Sequence, residues 1–289
     1  MRFGASTFIW VSPFSSATLD LIDKVADLGF DLIEICVEDP ATIDTTKIAK
    51  RLDSARIQAT VCGVFGADRD LSADEPDKRE NGLNYLARCV EIAVDLGSPI
   101  VSGPMYSAVG KTRLLSKIER EAQWRLSIDS MKRCSDHALS KGVKLAVEPL
   151  NRFETDLLNT VGQAMNWLGR LDRDNVGLLI DTFHLNIEEH SIPDAIRLAG
   201  GKAFHFHGCS NDRGTPGKDH QPWQEIAAAL REINYTGDTV IEAFTPEVRE
   251  IARAVSIWRQ LAESQDALAL DGLRFLKATF NTGSHARLP

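Results

Sequence analysis

The sequence predicts an α/β fold, most simply a closed (β/α)8 TIM barrel built as a single domain. Short β-rich runs alternate with longer amphipathic stretches along the whole 289-residue chain. The β-rich runs are mostly apolar, as expected for a parallel sheet covered by helices. Eight such runs recur about every 33 residues, which is the size of a βα unit, and eight units make a barrel of about 250 residues.

Each candidate strand is a short, mostly apolar run. Val and Ile are frequent in most of these runs, and β-branched side chains favour strands. The alternative fold is an open, doubly wound sheet. Its usual Gly-x-Gly-x-x-Gly motif after the first strand is absent from this sequence, which favours the barrel. In chain order the candidates are Arg2–Phe8, Leu32–Val37, Ile57–Val64, Ile100–Gly103, Val143–Glu148, Val176–Asp181, Ala203–His207 and Thr239–Phe244.

The candidate helices lie between these strands and carry apolar residues at helical spacing. In Leu83–Leu96, for example, the apolar residues fall on one face at the 3.6-residue period. Asn186, with Glu189 three residues later, has the pattern of a capping box and predicts a helix that begins there. The candidates are Leu19–Leu28, Ile48–Ala55, Leu83–Leu96, Arg120–Ser140, Val161–Leu171, Ile192–Leu198, Trp223–Ile233 and a last run from near Pro246 through Trp258.

Composition and charge exclude several classes of protein. Hydrophobic residues make up 43% of the chain and charged residues 26%, which is enough for a folded core. The formal net charge of −8 argues against nucleic-acid binding, which requires a basic face. Five widely spaced cysteines favour a reducing compartment over a disulfide framework or a zinc knuckle. With no signal peptide and no apolar run near ~18 residues, we expect a cytoplasmic protein without a membrane partner.

No linker or break in composition divides the chain. Residues 1–289 are therefore expected to form one domain, with the polar stretch 281–289 as a flexible tail.

Ionisable side chains stand where four successive candidate strands end. In a βα barrel the carboxyl ends of the strands carry the active site. Three carboxylates and an imidazole at one mouth would repel each other if left bare, and a divalent cation resolves that conflict. Such a donor set suits Mn²⁺, Mg²⁺ or Co²⁺. The four residues are Glu148, Asp181, His207 and Glu242.

Two histidines lie near the end of the seventh candidate strand, and either could be the metal ligand. His205 and His207 share a face because side chains alternate along a strand. His207 is the last residue before the turn at Gly208 and is the predicted metal ligand. His205 is expected to lie deeper in the barrel.

Four segments resemble the ketose 3-epimerases, which include D-tagatose, D-allulose (D-psicose) and L-ribulose 3-epimerases among the xylose-isomerase-like barrels. The resemblance covers nearly the whole chain, and the run from Asp181 to Glu189 (DTFHLNIEE) is the most specific part of it. The other segments are Glu148–Glu154 (EPLNRFE), His207 with the following Asn211–Gly217 (NDRGTPG), and Glu242–Phe244 (EAF).

This resemblance implies a metal-dependent isomerase that epimerises a free ketose at C3. It implies Glu148, Asp181, His207 and Glu242 as the metal ligands, with Mn²⁺ as the first choice of metal and Co²⁺ or Mg²⁺ as substitutes. Glu148 and Glu242 would also be the catalytic acid/base pair. The resemblance further implies a homodimer or homotetramer. The residues that would bind the C1–C2 end of the sugar substrate are Glu154, His184 and Arg213.

Some positions depart from the family pattern and leave the preferred sugar open. Val109 lies where relatives often carry a Trp, and Ser210 where many carry an acidic residue. Cys62, Phe244 and Trp10 are the candidate pocket walls. Few Lys or Arg residues accompany the strand ends, which favours unphosphorylated sugars.

Other functions are possible on the same scaffold. An aldose–ketose isomerase of the hydroxypyruvate-isomerase type would use the same enediolate chemistry, and an inosose-dehydratase-like reaction is a weaker alternative. A barrel endonuclease would need more histidine ligands and a basic surface. A non-catalytic sugar-binding module should lack one carboxylate of the pair, yet both are present.

Overall fold

In the computed structural model, which describes residues 1–281, eight parallel strands close into a barrel in chain order. The closing contact joins the first strand to the eighth. The predicted (β/α)8 barrel is therefore confirmed. The strands are β1 (Phe3–Ser6), β2 (Leu32–Val37), β3 (Gln58–Gly63), β4 (Ile100–Gly103), β5 (Lys144–Val147), β6 (Val176–Asp181), β7 (Ala203–His207) and β8 (Thr239–Ile241).

Helices connect the strands around the outside of the barrel. Within residues 1–281, none of them is both long and apolar enough to cross a lipid bilayer. The α-helices there are α1 (Asp20–Asp27), α2 (Thr45–Ala55), α3 (Pro76–Asp95), α4 (Lys117–Ser140), α5 (Val161–Leu171), α6 (Thr182–Glu188), α7 (Ile192–Ala199), α8 (Trp223–Glu232), α9 (Arg249–Ala254) and α10 (Gln265–Asn281).

The strands are apolar because both of their faces are buried. All residues of β2 and β6 are buried. The helices turn their apolar sides to the barrel, as Ile22 of α1 and Ile48 of α2 do. Inside the barrel, Ile100, Ala146 and Leu179 form a small apolar cluster. Burial of each large apolar side chain contributes about 1.5–3 kcal/mol, so this lower part of the barrel is a packed core.

The prediction for the C-terminal helices was wrong in part. α9 ends at Ala254 and does not pass through Trp258, because the chain turns at Ser256, where φ is +60°. The sequence analysis missed α10 altogether. Asn281, the first residue of the predicted tail, ends α10, and residues 282–289 lie outside the described residues.

The predicted capping box at Asn186 was also wrong. Asn186 lies inside α6, and Asp181 caps that helix. The next helix begins at a different cap, Ser191. Glu189 accepts a hydrogen bond from the backbone N–H of Val161 at 2.7 Å, so its carboxylate caps a neighbouring helix instead of its own.

A glycine at the end of β4 lets two strand ends approach closely at the mouth of the barrel. Gly103 has φ +123°, and a Cβ there would lie 2.5 Å from the backbone oxygen of Gly63. The Gly103 carbonyl also accepts the N–H of Glu148 at 3.1 Å. We expect Gly103→Ala to lower the free energy of unfolding by about 3 kcal/mol, measured by urea titration.

The matched control is Gly97→Ala. Gly97 also has positive φ, but a Cβ there would meet no atom within 4 Å. We expect this variant to lose only about 1 kcal/mol, from backbone strain alone. If both variants lost the same free energy of unfolding, the close contact between Gly103 and the Gly63 backbone would have no effect on stability, which would contradict this prediction.

Candidate active site

The four predicted strand-end residues meet at the mouth of the barrel. Asp181 and His207 are the last residues of β6 and β7, whereas Glu148 and Glu242 directly follow β5 and β8. All four side chains are buried, with at most 7% of any residue exposed. Because β5 and β8 are not neighbours in the barrel, the two glutamates approach the site from different sides.

Potential ligand atoms at the mouth form two groups that share Asp181. Within each group, one atom from each residue lies within 4.8 Å of the others. Together the two groups hold all four predicted ligands. The first contains Asp181, His207, Cys209 and Glu242, and the second contains Glu148, Asp181 and His184.

Asp181 has two tasks at the turn from β6 into α6. Its Oδ1 accepts the backbone N–H groups of Phe183 at 2.7 Å and His184 at 3.4 Å, which caps the helix. Its Oδ2 remains directed at the site. The same carboxylate therefore fixes the first turn of α6, and with it the place of His184.

Arg213 is buried among the acidic residues. Its Nη1 donates to Asp181 Oδ2 at 2.8 Å and to Glu242 Oε2 at 2.9 Å. The guanidinium carbon lies 4.1 Å from the centre of the Phe183 ring and 5.1 Å from that of Phe244. These aromatic faces hold the planar group in place by cation–π contact.

Asn151 joins the other two predicted substrate-binding residues. Its backbone N–H donates to His184 Nδ1 at 3.1 Å, and its side-chain amide donates to Glu154 Oε1 at 2.8 Å. His184 Nε2 lies 3.5 Å from Glu148 Oε1 and 2.9 Å from Arg213 Nη2. The three predicted residues Glu154, His184 and Arg213 thus line one side of a single pocket.

Burial and neighbouring charges shift the pKa values of the site residues. Burial raises the pKa of Glu148 well above its usual range, and the nearby carboxylates Glu242 and Asp181 raise it further. Burial lowers the pKa of His184 to about 3, with Arg213 acting in the same direction, so this imidazole is neutral.

Opposite charges reverse the effect of burial at two other groups. Burial opposes ionisation of Asp181, but Arg213 and His207 outweigh it and lower the pKa of that carboxyl. Burial also opposes a charged His207, yet Glu34 and the carboxylates at the mouth raise its pKa. The site thus combines a carboxyl that favours the protonated form with one that stays ionised.

The residues present fit a divalent cation. His207 Nδ1 is buried without a hydrogen-bond partner and lies 3.5 Å from Asp181 Oδ2 and 3.7 Å from Glu242 Oε2. Burial raises the pKa of the Cys209 thiol well above its usual value, and its Sγ donates to Asp181 Oδ2 at 3.3 Å, so in this structure Cys209 is a neutral donor. The remaining donors are carboxylate oxygens and one imidazole nitrogen, a set that suits Mn²⁺, Co²⁺ or Mg²⁺.

A cavity of about 240 Å³ at the mouth is lined by Glu148 and Glu242 together with Glu154, His184 and Arg213. The metal-side wall is polar, whereas the opposite wall is apolar. Cys62, Phe244 and Val109 line it as the sequence suggested, but Trp10 does not, and its indole N–H donates to Asp266. The apolar wall consists of Phe8, Val64, Phe65, Val109, Phe244, Ile251, Ala254 and Val255.

Sequence analysis missed one charged residue below the mouth. Glu34 lies in the middle of β2 with no exposed surface and contacts both His205 and His207. The signal was present, because a glutamate within the apolar run LIEICV needs a buried partner. The partner could not be identified from the sequence, since it lies on the far side of the barrel.

A family profile and several known proteins match this chain over most of its length. A family profile described as "Xylose isomerase-like TIM barrel" matches residues 22–279. A probable ketose 3-epimerase from Synechocystis is 34% identical over 98% of each chain. The D-psicose 3-epimerase of Agrobacterium fabrum is 30% identical over 94% of each chain.

A solved structure extends the similarity to three dimensions. The crystal structure of D-allulose 3-epimerase from Methylomonas sp., in complex with D-allulose, superposes with a TM-score of 0.91 at 28% identity. The match covers 96% of this chain and 97% of the other. The closed barrel and these similarities show that this chain belongs to the xylose isomerase-like TIM barrel family, within its ketose 3-epimerases, a group of sugar isomerases.

Proposed function

We propose that this protein epimerises a free ketose at C3 by proton transfer between two glutamates. Candidate pairs are D-tagatose/D-sorbose, D-fructose/D-allulose and L-ribulose/L-xylulose. The observation that carries the proposal is that Glu148 and Glu242 reach one buried pocket from strands that are not neighbours. Inversion at a carbon needs a base on one face and an acid on the other, and this arrangement supplies both.

We further propose that Glu148, Asp181, His207 and Glu242 hold a divalent cation, with Mn²⁺ as the first choice. The unpartnered His207 Nδ1, which lies near the carboxylates of Asp181 and Glu242, supports this assignment. When bound, the cation polarises the C2 carbonyl and stabilises the negative charge that develops there.

The glutamates then carry the proton chemistry. The C3–H bond is α to the C2 carbonyl, so its proton can be removed by an ionised carboxylate to give an enediolate. The protonated glutamate on the other face delivers a proton to C3, which inverts the stereocentre. In the reverse reaction Glu148 and Glu242 exchange roles.

The polar side of the pocket is suited to the C1–C2 end of the sugar. Arg213 can donate to the carbonyl and hydroxyl oxygens, while His184 and Glu154 exchange hydrogen bonds with hydroxyl groups. Arg213 is the single Lys or Arg among the residues that line the described pocket, and it already contacts two carboxylates. A phosphate group would therefore lack its own cation, which favours unphosphorylated substrates.

Incubation of D-fructose, D-tagatose and L-ribulose with the Mn²⁺-loaded protein in D₂O tests the proposal. We expect the C3 epimer of at least one sugar, with deuterium at C3, by chromatography and NMR. D-Fructose 6-phosphate, the matched control, should turn over poorly. An aldose labelled at C2 would instead establish the aldose–ketose isomerase. Sugar binding without deuterium at any carbon would establish a non-catalytic module.

We also propose a cytoplasmic homodimer or homotetramer that folds as one domain over residues 1–289. All five cysteines carry free, buried thiols, which supports a reducing compartment. Large apolar side chains with more than 70% of their surface exposed are the candidate contact residues for the oligomer. They are Leu114, Ile118, Phe153 and Trp258.

A further inference from the structure

Glu34 connects two histidines across the inside of the barrel. Its Oε1 lies 2.7 Å from His207 Nε2, and its Oε2 lies 2.7 Å from His205 Nε2. β2 and β7 are not neighbours in the barrel, so both contacts cross its interior. All three side chains are buried, with at most 1% of any residue exposed.

The remaining contacts hold the carboxylate in one orientation. The hydroxyl groups of Thr60 and Ser102 donate to Oε2 at 3.3 and 3.4 Å. These residues belong to β3 and β4, so Glu34 is bound from three strands besides its own. A carboxylate fixed in this way offers a directed acceptor to each histidine.

The contact decides which nitrogen of His207 carries the proton. An ionised carboxylate can only accept hydrogen bonds, so each Nε2 must donate to it. When His207 is neutral, its one N–H is therefore at Nε2, and its lone pair is at Nδ1. Nδ1 is the atom that makes no hydrogen bond and lies near Asp181 and Glu242.

We propose that Glu34 is a positioning residue that holds His207 in the tautomer and ring orientation needed to bind the cation through Nδ1. This inference rests on the metal centre in the proposed function. His205 assists by binding the second oxygen of Glu34, which explains a buried histidine directly below the predicted ligand. A carboxylate behind a metal-binding histidine also makes the imidazole a more basic ligand.

Replacement of Glu34 by Gln tests the proposal through metal affinity. The amide has one acceptor oxygen and one NH₂ donor, so it cannot accept from both histidines. We expect the Kd for Mn²⁺, from the EPR signal of free Mn²⁺, to rise about 10- to 100-fold. The matched control is Ser135→Ala, which removes a buried hydroxyl that donates to the Lys132 backbone oxygen within α4 and should change the Kd by less than about threefold.

A spectroscopic measurement on the wild-type protein does not depend on the folding of a variant. The protein is labelled with ¹⁵N-histidine and loaded with diamagnetic Zn²⁺, and His207 is assigned by comparison with His207→Gln. We expect the His207 proton on Nε2. A proton on Nδ1 would overturn the proposal, as would an unchanged Mn²⁺ affinity in Glu34→Gln.

These measurements use no sugar, so they separate this inference from the proposed reaction. A wild-type protein that binds Mn²⁺ but does not epimerise ketoses would overturn the function and leave the role of Glu34 standing. A wild-type protein that binds no divalent cation would overturn both the metal centre and this inference.

Discussion

Replacement of either Glu148 or Glu242 by Gln is expected to lower kcat for C3 epimerisation by about 10²–10⁴-fold, the usual contribution of a positioned acid or base. Gln keeps the size of the side chain but can neither take the C3 proton nor return one. Initial rates at saturating ketose and saturating Mn²⁺ measure the effect. Glu80→Gln is the matched control, because Glu80 forms an exposed ion pair with Arg133 on the outer surface. It should leave kcat unchanged.

Isotope exchange distinguishes loss of one glutamate from general damage to the site. Each single variant retains one carboxylate, on one face of the sugar. We therefore expect it to exchange the C3 hydrogen of one epimer with D₂O while forming almost none of the other epimer. Near wild-type epimerisation by either variant would refute the two-glutamate mechanism.

Removal of divalent cations is expected to bring turnover close to the uncatalysed level. Without a cation, the positive groups at the mouth are already paired, since Arg213 contacts Asp181 and Glu242 and His207 contacts Glu34. The protein is dialysed against EDTA, checked by atomic absorption, and assayed before and after addition of Mn²⁺ or Co²⁺. Full activity in metal-free protein would contradict the proposed centre.

Addition of Mn²⁺ to the metal-free protein should also stabilise the fold. A ligand that binds only the native state at 100 times its Kd adds about 2.7 kcal/mol to the free energy of unfolding. Thermal unfolding at increasing Mn²⁺ concentration measures this gain. Addition of K⁺ at equal ionic strength controls for screening and should produce no comparable shift.

Much of the barrel could be predicted from the sequence because its strands are short, apolar and regularly spaced. The change from an apolar run to a charged residue at Glu148, Asp181 and Glu242 marked the mouth, since the carboxyl ends of parallel strands meet there. The structure places these residues together with His207. The roles given to them stay predictions until the experiments above are done.

Other features could not be predicted, because they depend on contacts distant in sequence. Glu34 and His207 are 173 residues apart, and no local pattern relates them. The turn at Ser256 depends on a single positive φ, which propensity does not reveal for a serine. The capping pattern at Asn186 failed because Asp181, which ends a strand, was already available to begin the helix.

The unequal walls of the pocket bear on how this enzyme could be redesigned. The polar wall includes Glu148 and Glu242, which directly follow strands, and His184 in α6, where a change disturbs the barrel itself. The apolar wall is built in part from connecting segments, including Val64, Phe65 and Val109. Loops tolerate substitution better than the elements that they join. Mutant libraries aimed at these connections can therefore retune sugar preference while the proton-transfer apparatus stays intact.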